Sequence, residues 1–303
     1  MNGLDPLMPG ARVALVATSG QPLELLVERS VALLRNWGLE PVVFPSVSAR
    51  HPRASYLAGS DAGRAADLQA AWCDPAVDAV FCLRGGYGAV RVLDLLDAET
   101  LATARPKPLF GSSDVTAVHE YWLERLGVPT WFSPMLATPA LLDDAVALAC
   151  LRRAVFEPVA GREFSSASAE TIAAGSATGV LVGGTLSLLA MTVGARGRPV
   201  ASNADRIGLL EDVTEEPYRL DGLFTKLLRS GWFEGMVGVA LGSWVGCGDL
   251  AEVRLLAQEL LTPLGVPLVW ELGFGHGAGA HSLPLGVTAT LFADERPRLV
   301  IAG

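Results

Sequence analysis

Arg12-Val13-Ala14-Leu15-Val16-Ala17, apolar from Val13 onward and closed by Thr18-Ser19-Gly20, reads as a buried strand ending in a polar turn. Pro22 to Trp37 follows, with Leu25, Leu26, Val31, Leu33 and Leu34 as the apolar side of a helix that Gly38 closes. The alternation continues through a strand at Pro41-Val42-Val43-Phe44 and a helix from Asp61 to Trp72, with Ala65, Ala66 and Leu68 turned inward. A strand from Val77 to Leu83 and a helix from Arg91 to Leu96 come next. Apolar strands separated by amphipathic helices predict an α/β fold, with a mostly parallel sheet and helices on both faces. Ligands of such sheets collect at the carboxyl ends of the strands, so the loops after Ala17, Leu83 and Phe110 are where a site belongs.

From Pro139 to Ile172 the pattern weakens into small and polar residues, which predicts a helix over Leu141 to Phe156 and then a connection. Strands are expected again at Ala177 to Gly184, Arg206 to Leu210, Gly238 to Gly242 and Val266 to Leu272, with helices at Tyr218 to Leu228 and Leu250 to Leu261. Val287 to Phe292 and Arg298 to Ile301 read as a hairpin. The expected organisation is an N-terminal α/β domain over 1–140, a helix and connection over 141–175, and a smaller mixed α/β domain over 176–303.

Composition excludes several classes. The 303-residue chain carries a net charge of −9 and no Lys/Arg-dense run, so a nucleic-acid partner is not expected. Its mean hydropathy is +0.38, yet no apolar run approaches the ~18 residues of a membrane span, and no membrane partner is expected. The run Met1-Asn2-Gly3-Leu4-Asp5-Pro6 has neither the basic region nor the apolar core of a secretion signal, and a cytoplasmic protein is expected. The four cysteines, Cys73, Cys82, Cys150 and Cys247, form no C-x-x-C pair, which speaks against a disulfide framework or zinc knuckle. Cys82 and Cys150 read as small buried residues.

Chemistry is concentrated in a few loops. Gly111-Ser112-Ser113-Asp114 follows the apolar Leu109-Phe110 and precedes a helical pattern at Val115, Val118, Trp122 and Leu126. A serine at such a turn lies among the free N–H groups of a helix start, which suits either a nucleophile or a cap. Arg84-Gly85-Gly86-Tyr87-Gly88 lets bare backbone N–H groups approach an anion, as a phosphate cradle or an oxyanion hole, or makes a tight turn. Glu211 closes an apolar strand, where its carboxylate needs a partner. Two of the four histidines, His276 and His281, share one glycine-rich loop; with no third ligand nearby, a metal is not expected. Ser113, Glu211 and His276 together would supply nucleophile, orienting acid and base, with N–H groups of Gly86 and Asp114 for the oxyanion. The G-x-S-x-G elbow is absent, because Val115 stands where its second glycine belongs and would crowd that turn.

These segments resemble the LD-carboxypeptidase family of serine peptidases, which includes murein tetrapeptide carboxypeptidases and microcin-immunity peptidases. The resemblance rests on Tyr56-Leu57-Ala58-Gly59-Ser60-Asp61 with Arg64, the glycine loop at Arg84–Gly88, and Gly111-Ser112-Ser113-Asp114. It continues through Leu210-Glu211-Asp212 with Pro217-Tyr218 and Gly275-His276 with Leu283-Pro284-Leu285-Gly286. It implies a Ser113-His276-Glu211 triad in a cleft between two domains, no cofactor, a homodimer, and a murein-derived peptide substrate. It also implies release of the terminal D-alanine across an L,D amide bond, with Arg84, Gly85 and Tyr87 as substrate contacts. The alternatives are a microcin-type aminoacyl-nucleotide amide as substrate, or a non-catalytic module binding an anion. Two positions depart from the family pattern: Thr185 follows Gly183-Gly184 where relatives often have Asn, and Gly222 follows Asp221 where a basic residue is usual.

Overall fold

The structure, a computed structural model, describes residues 3–195 and 202–303. Met1 and Asn2, which open the N-terminal run read above for a leader, lie outside the described residues. By contact density the chain divides into two compact units, Met1–Pro158 and Val159–Gly303.

The first unit alternates β1 (Arg12–Val16), α1 (Glu24–Asn36), β2 (Glu40–Val43), α2 (Asp61–Cys73), β3 (Ala79–Cys82), α3 (Ala98–Thr103), β4 (Leu109–Gly111), α4 (Thr116–Tyr121) and β5 (Thr130–Phe132). Its strands lie in the order β5-β4-β3-β1-β2 and every pair is parallel. Successive strand residues point to opposite faces. Ala14, Val16, Val80, Cys82 and Leu109 therefore join Leu68 and Trp72 of α2 and Val118 of α4 in one core. On the other face Phe110 stacks on Phe81 at 4.4 Å and on Trp131 at 6.0 Å. Two short helices, α5 (Pro139–Leu142) and α6 (Ala145–Phe156), complete the unit.

The second unit contains β6 (Glu163–Phe164), β7 (Glu170–Ala173), β8 (Gly175–Thr185), α7 (Leu186–Thr192), β9 (Arg206–Val213), α8 (Pro217–Arg229), β10 (Gly238–Val245), α9 (Leu250–Leu261), β11 (Leu268–Trp270), β12 (Leu283–Leu285), β13 (Thr288–Ala293) and β14 (Arg298–Ile301). Its sheet runs β6-β14-β13-β8-β9-β10-β11-β7. The inner strands β8, β9, β10 and β11 are parallel, and the hairpin β13–β14 and the edges are antiparallel. Among the described residues no helix is long and apolar enough to cross a membrane.

Local chemistry overrides the sequence pattern in four places. The helix expected over Arg91 to Leu96 is two single 3-10 turns, Ala89–Arg91 and Leu93–Leu95. Leu96 is extended, and Asp97 accepts the N–H groups of Glu99 and Thr100 to start α3 instead. The helix expected over Leu141 to Phe156 breaks at Asp144, whose carboxylate caps Val146 and Ala147. The expected connection holds β6 and β7, which lie at the two edges of the second sheet; two to four residues of mixed polarity carry too little periodicity to be read. Cys82 is buried as expected, but Cys150 on α6 is only half-buried.

Candidate active site

In the first unit the carboxyl end of β4 turns sharply into a helix. Gly111 has no side chain, and a Cβ there would stand 2.9 Å from Val115 Cγ1. The missing atom makes room for the branched Val115, so the crowding expected of that residue is relieved one turn earlier, at Gly111. Ser113 takes φ +56°, in the left-handed region that costs a non-glycine residue on the order of 1 kcal/mol. Such strain persists only where the surroundings hold it, and here Val115 N–H donates to Ser112 O at 3.0 Å. Ser112 is buried, with its N–H directed at Met135 Sδ 3.1 Å away, whereas Ser113 is partly open. Of the two serines, Ser113 is the more exposed.

The loops after β1, β3 and β4 converge on this turn. Gly20 N–H donates to Gly85 O at 3.0 Å, and Ala58 N–H to Ser19 O at 2.9 Å. Arg64, fully buried on α2, donates to the carbonyls of Thr18, Gly59 and Gly88 and to Asp61 Oδ1. One guanidinium thus braces three segments around Ser113. Asp114 turns inward rather than capping the helix: its Oδ2 accepts Ala89 N–H at 2.7 Å. Burial pushes its carboxyl up to about 6, against the pull of that N–H and of Arg64. Behind the turn, buried His119 donates from Nε2 to Gly111 O at 2.9 Å; burial drives its pKa down to about 4, so the ring is neutral. Arg84 donates to Gln21 O, and exposed Tyr87 lies 6.2 Å from Tyr56, ring to ring.

The glycine loop presses directly on the serine. A Cβ on Gly85 would lie 2.8 Å from both Cβ and Oγ of Ser113, and 3.6 Å from Asp114 N. Gly85→Ala therefore displaces the serine hydroxyl or the loop. Turnover is expected to fall about 100-fold, the cost of an ångström-scale misplacement, with the circular-dichroism spectrum unchanged. Wild-type turnover in the alanine variant would show that the two loops do not work against each other.

In the second unit the same end of the sheet gathers a different set. Glu211 lies near the end of β9, fully buried, and His276 sits in the loop after β11. His276 Nδ1 and Glu211 Oε2 are 2.6 Å apart. A carboxylate only accepts, so Nδ1 carries a proton, and in the neutral ring Nε2 keeps its lone pair. Burial pushes the imidazole pKa down, but the charge and hydrogen bond of Glu211, with Asp212 beyond it, more than offset this and raise it. Gly275, at φ +107°, is required: a Cβ would stand 2.6 Å from Glu211 Oε2. His281 has a partner of its own, Ser165 O at 2.7 Å.

Three contributors were not legible in the sequence as site residues. Thr185 Oγ1 donates to Glu211 Oε1 at 2.5 Å. Ser243, on β10, accepts Gly277 N–H at 2.8 Å and so tethers the residue after His276. Asp212 accepts Ser187 N–H at 2.7 Å, and its carboxyl is raised to about 7 by burial and then by the charge of Glu211. Thr185 carried a signal in its departure from the family pattern, and Asp212 in its place beside Glu211 in a segment that resembles the family; Ser243 carried none.

A serine on a strained strand-to-helix turn and a carboxylate-held histidine are the equipment of a serine-type hydrolase. The LD-carboxypeptidase N-terminal domain profile matches residues 13–133, and the C-terminal domain profile matches residues 178–291. The chain belongs to the LD-carboxypeptidase family of serine peptidases, as its loops led us to expect. A Streptomyces coelicolor protein whose carboxypeptidase name is provisional is 48% identical over 305 residues, 98% of this chain and 97% of that one. The murein tetrapeptide carboxypeptidase of Pseudomonas aeruginosa is 32% identical over 296 residues, 92% of each chain. The solved muramoyltetrapeptide carboxypeptidase from Oxalobacter formigenes superposes with a TM-score of 0.81 at 26% identity, over 97% of this chain and 99% of that one.

Proposed function

We propose that the enzyme releases the terminal D-alanine of a murein tetrapeptide by hydrolysing the L,D amide bond, in the cytoplasm and as a homodimer, as a step of peptidoglycan recycling. The observation that carries this reading is the 2.6 Å contact between His276 Nδ1 and Glu211 Oε2, which leaves Nε2 free to take a proton. In the proposed reaction His276 Nε2 removes the Ser113 Oγ proton as Oγ attacks the scissile carbonyl carbon. The N–H groups of Gly86 and Asp114 hold the resulting oxyanion, and Glu211 holds the imidazolium. His276 then passes the proton to the amide nitrogen, the C–N bond breaks, and D-alanine leaves. Water, deprotonated by the same imidazole, cleaves the acyl-enzyme and restores Ser113. Arg84 meets the terminal carboxylate through its planar fork, with Gly85 and Tyr87 beside it.

The relative named for murein tetrapeptide cleavage supports this substrate. The exposed ring pair Tyr56–Tyr87 favours a second reading, since two aromatic faces near Arg84 can stack a base, as an aminoacyl-nucleotide amide would require. Side-by-side turnover decides between them. D-alanine release from the L,D tetrapeptide should exceed cleavage of the nucleotide amide, and a D,D-linked peptide should remain intact. A fluorophosphonate probe should label Ser113; an unlabelled, inactive protein would instead be an anion-binding module.

A further inference from the structure

We propose that Thr185 is a positioning residue for the acid–base pair: its hydroxyl fixes the Glu211 carboxylate so that the other oxygen is presented to His276. The proposal rests on the reading of His276 as general base, and deepens it. The placement comes from sheet register. β8 and β9 run parallel with Thr185 opposite Glu211 at their carboxyl ends. Gly183 and Gly184 bring Thr185 there through φ values of +124° and +138°, and a Cβ on Gly183 would stand 2.1 Å from Leu209 O. No other residue type fits that approach.

Position alone would make Thr185 a helix cap, because it immediately precedes α7. A capping threonine accepts an N–H of the first turn, but Thr185 makes no side-chain cap hydrogen bond. Asp212 takes that role instead, accepting Ser187 N–H at 2.7 Å. The hydroxyl is thereby released to donate to Glu211 Oε1 at 2.5 Å, while Glu211 Oε2 meets His276 Nδ1 at 2.6 Å. Glu211 is fully buried, so each oxygen needs a donor, and with both in place the carboxylate cannot rotate without losing one. Removing the hydroxyl leaves Oε1 as a buried acceptor without that donor. This favours rotation of the carboxyl and weakens its hold on the imidazolium.

The groups whose charge acts on His276 are Glu211 and Asp212, so its titration reads the state of this cluster. In Thr185→Val, kcat is expected to fall roughly 10- to 100-fold with little change in KM, the range for one hydrogen bond to a charged group. The His276 ring, followed by ¹⁵N NMR, should titrate at lower pH than in the wild type. Thr185→Ser should restore both. Thr185→Ala, which adds no bulk, is read in the same way should valine not be accommodated. A folded valine or alanine variant with unchanged kcat and an unchanged His276 midpoint overturns the proposal. So does a loss of activity without a midpoint shift that serine fails to rescue. The NMR midpoint does not depend on Ser113, so it still decides the role of Thr185 if the triad reading itself fails.

Discussion

Ser113→Ala is expected to lower D-alanine release by about 10⁴-fold or more, leaving the slow residual rate that binding and backbone donors alone sustain. The fold should be indifferent to the change. Ser113 is partly open, and alanine at φ +56° bears the same backbone strain as serine, so stability should move by no more than about 0.5 kcal/mol. Ser112→Ala is the internal control. Ser112 is buried, and it is its backbone N–H that faces Met135 Sδ, so losing its hydroxyl should leave turnover close to wild type. Measuring both variants on the L,D tetrapeptide, with thermal melts alongside, separates chemistry from folding. Turnover retained in Ser113→Ala, or lost equally in Ser112→Ala, would sink the assignment of the nucleophile.

The parts of this molecule legible in the sequence are those where one physical signal dominates. Val13 to Val16 and Val80 to Cys82 are apolar on both faces because the strands are covered on both, and that burial is visible as an unbroken run. The glycines at 85, 111 and 275 were visible as glycines, but not the atoms that require them: Ser113, Val115 and Glu211 lie 28, 4 and 64 positions away along the chain. Elements governed by one competing side chain depart from the apolar pattern. Asp97 and Asp144 each accept two N–H groups and move a helix start, and apolar spacing says nothing about such a capture. Thr185 shows the same limit within the site. Whether it caps α7 or serves Glu211 depends on Asp212, whose carboxylate reaches Ser187 only once β8 and β9 are paired.

Glu211→Ala should cost about 10⁴ in kcat/KM if Glu211 is the acid of the proposed triad, comparable to losing the acid of a serine triad. With the carboxylate gone, nothing holds Nδ1–H in place, so the imidazole can turn or adopt the tautomer that cannot take a proton from serine. The charge loss has its own signature. In its proposed role of base His276 must be neutral, so activity should fall as pH drops through its pKa. In the wild type that pKa is raised, burial being outweighed by Glu211, which places the acid limb of the kcat/KM profile above that of an ordinary histidine. Without Glu211 burial prevails, and the limb should move to lower pH even as the plateau collapses. Glu211→Gln separates the two effects. Its carbonyl can still accept Nδ1–H if its amide faces Thr185, whose hydroxyl can rotate from donating to accepting. The tautomer is then kept and only the charge is lost, so the glutamine variant should retain more activity than the alanine one while its acid limb moves the same way. A limb that stays put in both variants would mean that Glu211 does not set the protonation of His276, and that the 2.6 Å contact serves the fold rather than the reaction.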